Sequence, residues 1–162
     1  MKILGIDPGI GRCGWGIINV DGPRLKAIEF GCIETSPKLS VQKRLKQIHE
    51  EISRIIKTHK PNALSIEELF FANNAKTAFV VGQARGVILL AAAEDNLEIA
   101  VYTPFQVKMA LTGYGRAEKA QIGQMVKTLL NLKEIPKPDD TADALAIAMT
   151  HAFSNKLAGF GK

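Results

Sequence analysis

Cysteine, histidine and tryptophan are scarce in this chain of 162 residues, which contains two, three and one of them respectively. The two cysteines, Cys13 and Cys32, cannot build the disulfide framework of a small secreted domain, and they lack the paired spacing of a zinc site. The three histidines are scattered, so neither a metal-binding histidine pair nor a Ser-His-Asp arrangement is indicated. These absences favour a protein of a reducing compartment, and we expect it to be cytoplasmic.

Long apolar runs, linkers and targeting signals are also lacking. The longest apolar stretch, residues 86–93, is far shorter than the ~20 residues that span a bilayer. The amino terminus enters an apolar run that stops at Asp7, too early for a signal-peptide core, and no small-residue cleavage site follows. We therefore expect one domain at residues 1–157, a frayed tail at residues 158–162, and no association with a membrane.

Acidic residues are in the minority, with 16 Asp and Glu against 21 Lys and Arg, for a formal net charge of +5. The basic residues concentrate in two segments, residues 38–60 and residues 104–137. This distribution favours an anionic partner such as DNA, whose phosphates would make binding sensitive to salt. The chain is 46% hydrophobic, which is typical of a folded globular protein and argues against disorder.

Apolar patterns and turn signals predict an α/β fold. Strands at residues 2–7, 14–20 and 25–35, separated by Asp7-Pro8-Gly9 and Asp21-Gly22-Pro23, are typical of an antiparallel meander. Helical spacing and short apolar runs then predict helices at residues 40–58, 73–94, 104–111, 117–132 and 141–155, with strands at 63–68 and 99–103. This order of elements predicts a mixed sheet flanked by helices.

Acidic residues end two of the predicted strands. Asp7 ends the first, although an Asp before Pro-Gly is also ordinary turn chemistry. Glu67 and Glu68 end the strand at residues 63–68, and strand alternation places them on opposite faces without choosing between them. Small residues beside these acids, Gly5 and Ser65, would leave room for something bulkier than a side chain. The alternative is a pair of solvated acids at the sheet edge.

A third group of acids opens the last predicted helix. Asp139, Asp140 or Thr141 could serve as its N-cap, and acids in a first turn suit the helix dipole. Asp140 and Asp143 are three residues apart and share one helix face. Asp143 precedes a nearly continuous apolar run, where a carboxylate requires a cation or strong hydrogen bonds.

Convergence of these acids would create a site for divalent cations. Carboxylates that crowd together raise one another's pKa, and divalent cations relieve that repulsion. Ligation by oxygen alone fits Mg²⁺ or Mn²⁺ and argues against zinc. Two such ions about 3.5–4 Å apart form the kind of site that hydrolyses phosphodiesters.

Seven short motifs occur along the chain in a fixed order. The motifs are Leu4-Gly5-Ile6-Asp7-Pro8-Gly9, Gly14-Trp15-Gly16, Ile66-Glu67-Glu68-Leu69-Phe70, Gly82-Gln83-Ala84-Arg85-Gly86, Gln106-Val107-Lys108, Ala117-Glu118-Lys119-Ala120-Gln121 and Asp140-Thr141-Ala142-Asp143-Ala144-Leu145-Ala146. In this order the motifs resemble those of the RuvC family of bacterial Holliday junction resolvases, and the resemblance spans residues 2–153. It implies a ribonuclease H-like fold with a five-stranded mixed sheet, and a homodimer that resolves four-way DNA junctions by paired, Mg²⁺-dependent nicks in recombination and repair. It also implies the branch-migration proteins RuvA and RuvB as partners.

The same resemblance assigns roles to individual residues. It implies that the metal-binding catalytic acids are Asp7, Glu67, Asp140 and Asp143, which favours Glu67 over Glu68 and leaves Asp139 as the cap. It implies that Phe70 stacks on unpaired bases, although the doublet Phe70-Phe71 leaves open which ring faces DNA. Lys108 and Lys119 are implied to hold the scissile phosphate. Arg116, in the glycine-bearing loop at residues 112–116, is expected to contact DNA as well.

Other functions share part of this pattern. An actin-like ATPase would use the same opening motif, but it needs a second phosphate loop and an adenosine pocket, for which the sequence gives no signal. A ribonuclease H-like nuclease acting on RNA and a junction-binding module with inert acids are the remaining alternatives. The nearly all-apolar helix at residues 80–93 is either internal or packed on one side against a second subunit.

Overall fold

A five-stranded mixed sheet forms the centre of the computed structural model, which describes residues 1–68 and 75–159. Its strands are β1 (Lys2–Asp7), β2 (Arg12–Asp21), β3 (Arg24–Glu34), β4 (Ala63–Glu67) and β5 (Glu98–Tyr102). The spatial order is β3-β2-β1-β4-β5. The pairs β1–β2 and β2–β3 are antiparallel, whereas β1–β4 and β4–β5 are parallel. The predicted meander and mixed sheet are confirmed.

Five helices flank the sheet: α1 (Val41–His59), α2 (Ala75–Glu94), α3 (Pro104–Thr112), α4 (Lys119–Leu129) and α5 (Asp139–Gly159). Local chemistry fixes several of their ends. The Ser40 hydroxyl accepts a hydrogen bond from the backbone N–H of Lys43 at the start of α1. Thr103 and Gln106 form a capping box on α3, which ends at Gly113 in the left-handed conformation.

Two apolar clusters fill the two faces of the sheet, because successive strand residues point to opposite sides. On one face, Leu4 and Ile6 pack with α1 and α2; on the other, Ile3 packs with α3, α4 and α5. Asp7 has the same parity as Ile3 in β1 and therefore belongs to the α5 face. The catalytic candidates thus lie on the side of the sheet that α5 covers.

Two glycines allow α5 to lie directly on the sheet. A Cβ atom at Gly5 would stand 2.0 Å from the carbonyl oxygen of Ala144, and one at Gly14 would stand 1.9 Å from the carbonyl oxygen of Asp140. Both distances are shorter than any real contact, so only glycine permits this packing. The room that small residues were expected to leave beside the acids is therefore taken, at Gly5, by the backbone of α5. The acids gather at the edge of this contact instead.

The two ends of α5 differ from the sequence-based expectations. The helix begins at Asp139, so Asp139 lies in its first turn and is not the residue that precedes it. The expected assignment of Asp139 as the N-cap is therefore wrong. The carboxylate of Asp139 lies 3.4 Å from Nζ of Lys119 and forms an ion pair with it. At the other end the helix continues to Gly159, two residues into the predicted tail. The rest of that tail, residues 160–162, lies outside the described residues.

Helix α2 has an apolar surface on two sides. Its inner side contributes Ala84, Ile88 and Ala91 to the core beside α1. Over Thr77–Glu94 the mean hydropathy is 1.3, so by length and composition α2 is apolar enough to cross a membrane, as core helices of soluble proteins also are. Only 22% of that stretch is buried, and Phe79 and Leu90 are 67% and 52% exposed. The outer side of α2 is therefore an uncovered apolar face.

Candidate active site

Two neighbouring parallel strands end in the first two acids, which therefore lie at one edge of the sheet. Asp7 is the last residue of β1, and Glu67 is the last residue of β4. The register pairs Gly5 with Ser65 and Ile6 with Ile66, so Asp7 and Glu67 follow at equivalent positions. Residues at equivalent positions of adjacent parallel strands point to the same face. Both carboxylates consequently emerge on the α5 side.

The first turns of α5 deliver the other two acids to the same edge. Gly14 lies opposite Asp7 in the register of β1 and β2, and it is in close contact with the backbone of Asp140. This contact places the start of α5 over the end of β1. The side chains of Asp140 and Asp143 are 21% and 29% exposed, so both are largely withdrawn from solvent.

Electrostatic coupling shows that the four acids converge. The pKa of Asp7 is raised to about 8, first by burial and then by the negative charges of Glu67, Asp143 and Asp140. Burial also raises the pKa of Glu67, to which the charge of Asp143 adds. Burial raises the pKa of Asp143 as well, against the opposing effect of Lys119. Such mutual destabilisation of charge is what the sequence analysis expected of clustered carboxylates.

Two basic side chains contact this cluster. Nζ of Lys119 lies 2.8 Å from Oδ2 of Asp143, and although burial works against its charge, Asp143 and Asp139 raise the pKa of Lys119. Nε of Arg12 lies 3.1 Å from Oδ2 of Asp140. This second contact lacks hydrogen-bond geometry, because Oδ2 of Asp140 has no hydrogen-bond partner in the described part of the chain. Arg12 therefore attracts Asp140 by its positive charge but donates no hydrogen bond to Oδ2.

A cavity of about 230 Å³ opens beside the acids. Glu67 and Asp143 line it together with the ammonium-bearing side chains of Lys108 and Lys119. Its remaining walls are apolar and come from Pro104, Val107, Ile122 and Ile147. The cavity thus joins two acids to the two lysines singled out from the sequence. Arg116 is exposed in the turn between α3 and α4, and Phe70 lies outside the described residues.

The donor set fits a divalent cation bound by oxygen. Within residues 1–68 and 75–159, no three or more His, Cys, Asp or Glu side chains are already arranged to hold a metal ion. Burial nevertheless raises the pKa values of Asp7, Glu67 and Asp143, and Oδ2 of Asp140 is buried without a hydrogen bond. A divalent cation would supply the charge that these groups lack, and oxygen donors alone suit Mg²⁺ or Mn²⁺.

The remaining residues singled out from the sequence lie mostly as expected. Glu68 is exposed at the end of β4, while Glu67 faces the cavity. Cys13 and Cys32 are free thiols, and Trp15 is buried. His151 is 2% exposed, and its Nδ1 lies 2.8 Å from the hydroxyl of Tyr102. The sequence analysis missed Arg12, for which the only signal was a basic residue five positions after Asp7.

Comparison with known proteins identifies the family. The family model described as Crossover junction endodeoxyribonuclease RuvC matches residues 3–151. The RuvC proteins of Alkaliphilus oremlandii and Brevibacillus brevis are 57% and 55% identical to this chain. These alignments cover 97% and 94% of this chain and 96% and 92% of the relatives.

A solved structure agrees with the sequence relatives. Thermus thermophilus RuvC in complex with Holliday junction substrate has a TM-score of 0.93 at 38% identity, covering 98% of this chain and 96% of that chain. The ribonuclease H-like fold expected from the motifs is thereby confirmed. With a family model matched over almost its whole length and relatives more than half identical to it, the chain belongs to the RuvC family of crossover junction endodeoxyribonucleases.

Proposed function

We propose that this protein is a metal-dependent endonuclease that resolves four-way DNA junctions by paired, symmetric nicks. The observation that carries this proposal is the convergence of Asp7, Glu67, Asp140 and Asp143 at one sheet edge, beside a cavity that also holds two lysines. Family membership supports a DNA substrate, and the related Thermus thermophilus protein is described with a Holliday junction substrate. The protein is proposed to act on DNA in the cytoplasm.

The four acids are proposed to be the catalytic, metal-binding residues, holding two Mg²⁺ ions for which Mn²⁺ can substitute. When bound, such ions lower the pKa of a water molecule and stabilise the leaving oxygen of a phosphodiester. The protein's own part is to present ionised carboxylates. Because the pKa of Asp7 is about 8 without a cation, binding of the ions must be accompanied by release of its proton at neutral pH.

The basic residues of the site are proposed to hold the DNA. Lys108 and Lys119 line the same cavity as Glu67 and Asp143, so each ammonium group can reach a phosphate that lies against the acids. Lys119 must give up part of its contact with Asp143 to do so. Arg116 is exposed on the adjoining turn and is proposed to contact the backbone of a junction arm. Phe70 is proposed to stack on unpaired bases near the junction centre.

The outer face of α2 is proposed to be the interface of a homodimer. Phe79, Gly86 and Leu90 lie at positions i, i+7 and i+11, which share one side of a helix. Nothing lies within 4 Å of where a Cβ atom of Gly86 would stand, so another helix can approach closely there. An isologous dimer would place two identical sites about a twofold axis, as two symmetric cuts require.

Leu90→Asp is expected to convert the dimer to a monomer, because a charged side chain would be buried in the apolar interface without a partner. Sedimentation velocity at micromolar concentration measures this. The matched control is Leu39→Asp, which changes an exposed leucine outside α2 and should remain dimeric. A wild-type protein that sediments as a monomer at the concentrations at which it cleaves junctions would overturn the dimer proposal.

The branch-migration proteins RuvA and RuvB are proposed as partners on the strength of family membership. Purified RuvA and RuvB from a RuvC-containing bacterium should change the rate or position of junction cleavage. Identical cleavage in their presence and absence would count against this partnership.

Substrate comparison tests the proposed function. We expect Mg²⁺-dependent cleavage of a synthetic four-way junction at symmetric positions on two opposed strands, with much slower cleavage of a linear duplex of the same sequence. An RNA–DNA hybrid with the same sequence tests the alternative of a nuclease acting on RNA. Preferential cleavage of the hybrid would favour that alternative, and binding without cleavage of any substrate would favour an inert junction-binding module.

A further inference from the structure

The basic side chains around the acids lie on both sides of the cluster along the sheet edge. The strand order places β2 and β4 on either side of β1, with β5 beyond β4. Asp7 and Glu67 end β1 and β4, so they occupy the middle. Lys108 lies in α3, which follows β5, and Arg12 is the first residue of β2. Three strand intervals separate the backbone of β2 from that of β5, about 14 Å at the usual strand spacing.

Arg12 is placed to reach over the acids from the β2 side. It has the same parity in β2 as Gly14, which contacts the backbone of Asp140, so its side chain belongs to the α5 face. The side chain is 57% exposed and lies 3.1 Å from Asp140 without a hydrogen bond. Because Oδ2 of Asp140 accepts no hydrogen bond from Arg12 and the Arg12 side chain is more than half exposed, Arg12 can exchange this contact for one with another anion.

A second arginine, Arg44 in α1, supports the loop that leads into Arg12. Nε of Arg44, in α1, donates a hydrogen bond of 2.7 Å to the Thr35 hydroxyl, which in turn donates to the carbonyl oxygen of Ile10. This chain of bonds ties the loop after Asp7 to α1. A terminal nitrogen of Arg44 lies 3.6 Å from where a Cβ atom of Gly11 would stand. Arg44 therefore holds the loop before β2 from the α1 side of the sheet, and the side chain that reaches the acids is that of Arg12.

We infer that Arg12 forms a second phosphate-binding point on the β2 side of the acids, and that Arg12 exchanges Asp140 for a DNA phosphate when the junction binds. The inference rests on the proposed function and names a contact of that same site. A DNA strand crossing the acids would then be held at both ends, by Lys108 and Lys119 on one side and by Arg12 on the other. A guanidinium group suits this role because it can bind a phosphate through two parallel hydrogen bonds.

Equilibrium binding of a fluorescent four-way junction in EDTA, measured over a series of KCl concentrations, tests the inference. Arg12→Gln is expected to weaken binding about tenfold and to reduce the slope of log Kd against log salt by about one, as loss of one phosphate contact does. Arg12→Lys should recover part of the affinity. The matched control is Arg24→Gln, which removes an exposed arginine at the start of β3, at the far end of the β2–β3 hairpin, and should bind as the wild type does.

Junctions with a single neutral methylphosphonate locate the contact. One position near the cut should weaken binding by the wild-type protein but not further weaken binding by Arg12→Gln. If Arg12→Gln matches Arg24→Gln in affinity and salt slope, the inference is overturned. If Arg12→Gln lowers only the cleavage rate, Arg12 merely positions Asp140 and the inference is equally overturned. A wild-type protein without preference for the junction over a duplex would instead overturn the proposed function, and this inference with it.

Discussion

Asp7→Asn and Asp143→Asn are each expected to slow cleavage of a four-way junction in Mg²⁺ by at least about 100-fold, the upper range of losses seen on changing residues around a metal. Asparagine keeps the size of the side chain but removes the negative charge that a divalent cation needs. Both carboxylates belong to the cluster whose members raise one another's pKa. Single-turnover cleavage with the protein in excess over the junction measures this loss without contribution from product release.

Junction binding by the same variants is expected to be unchanged or tighter. Each substitution removes a negative charge from a surface that DNA phosphates approach, so repulsion falls. The matched control is Asp95→Asn, an exposed residue that precedes β5 and so lies at the opposite end of the parallel strands from the acids. It should cleave at the wild-type rate. Wild-type cleavage rates in both active-site variants would contradict the assignment of the site.

The Asp7→Asn substitution is also expected to stabilise the protein in EDTA, increasingly so as the pH rises. In the folded state the pKa of Asp7 is about 8, against 3.8 for an ordinary solvated aspartate, which represents the unfolded chain. Between these values the folded state holds a proton that the unfolded state has lost, so the wild-type protein loses stability as the pH rises through this window. Asparagine does not ionise, so the variant does not lose stability in this way as the pH rises.

Calorimetric unfolding at pH 5 and pH 9 measures this effect. The advantage of Asp7→Asn over the wild type should grow by about 4 kcal/mol between the two pH values, at about 1.4 kcal/mol for each pH unit from 5 up to the pKa of about 8, which is roughly 10 °C in Tm for a chain of this size. Mg²⁺ should reduce the difference in stability between the variant and the wild type at pH 9, because an ion that binds only the folded wild-type protein stabilises that protein. Asp95→Asn should show no such trend. An advantage that stays constant with pH, or a variant less stable than the wild type at pH 9, would contradict the crowding of charge around Asp7.

Local chemistry made the secondary structure predictable. Turn residues such as Asp21, Gly22 and Pro23 separate the first strands, and the spacing of isoleucines in α1 shows its buried side. The ends of helices were less predictable. Asp139 satisfies the chemistry of a cap and of a first-turn acid equally well, so its residue type does not decide where α5 begins.

Contacts between distant segments were beyond the reach of sequence patterns. The ion pair between Arg12 and Asp140 joins residues 128 positions apart, and no pattern in either local segment predicts it. Gly5 indicated that space is left beside β1, but not that α5 fills it, because a glycine leaves the same space for a ligand as for a helix. The four acids could be named from the sequence because they lie at the ends of predicted strands and at the start of a predicted helix. The motifs that occur in a fixed order along the chain contain the same residues.

Titration with Mn²⁺, followed by the electron paramagnetic resonance of the free ion, tests most directly whether the four carboxylates share divalent cations. The wild-type protein is expected to bind two ions per chain. Asp7→Asn, Glu67→Gln, Asp140→Asn and Asp143→Asn should each lose an ion or bind at least about tenfold more weakly, while Asp95→Asn binds as the wild type does. Wild-type affinity and stoichiometry in any of the four variants would show that its carboxylate is not a ligand, and would contradict the shared site.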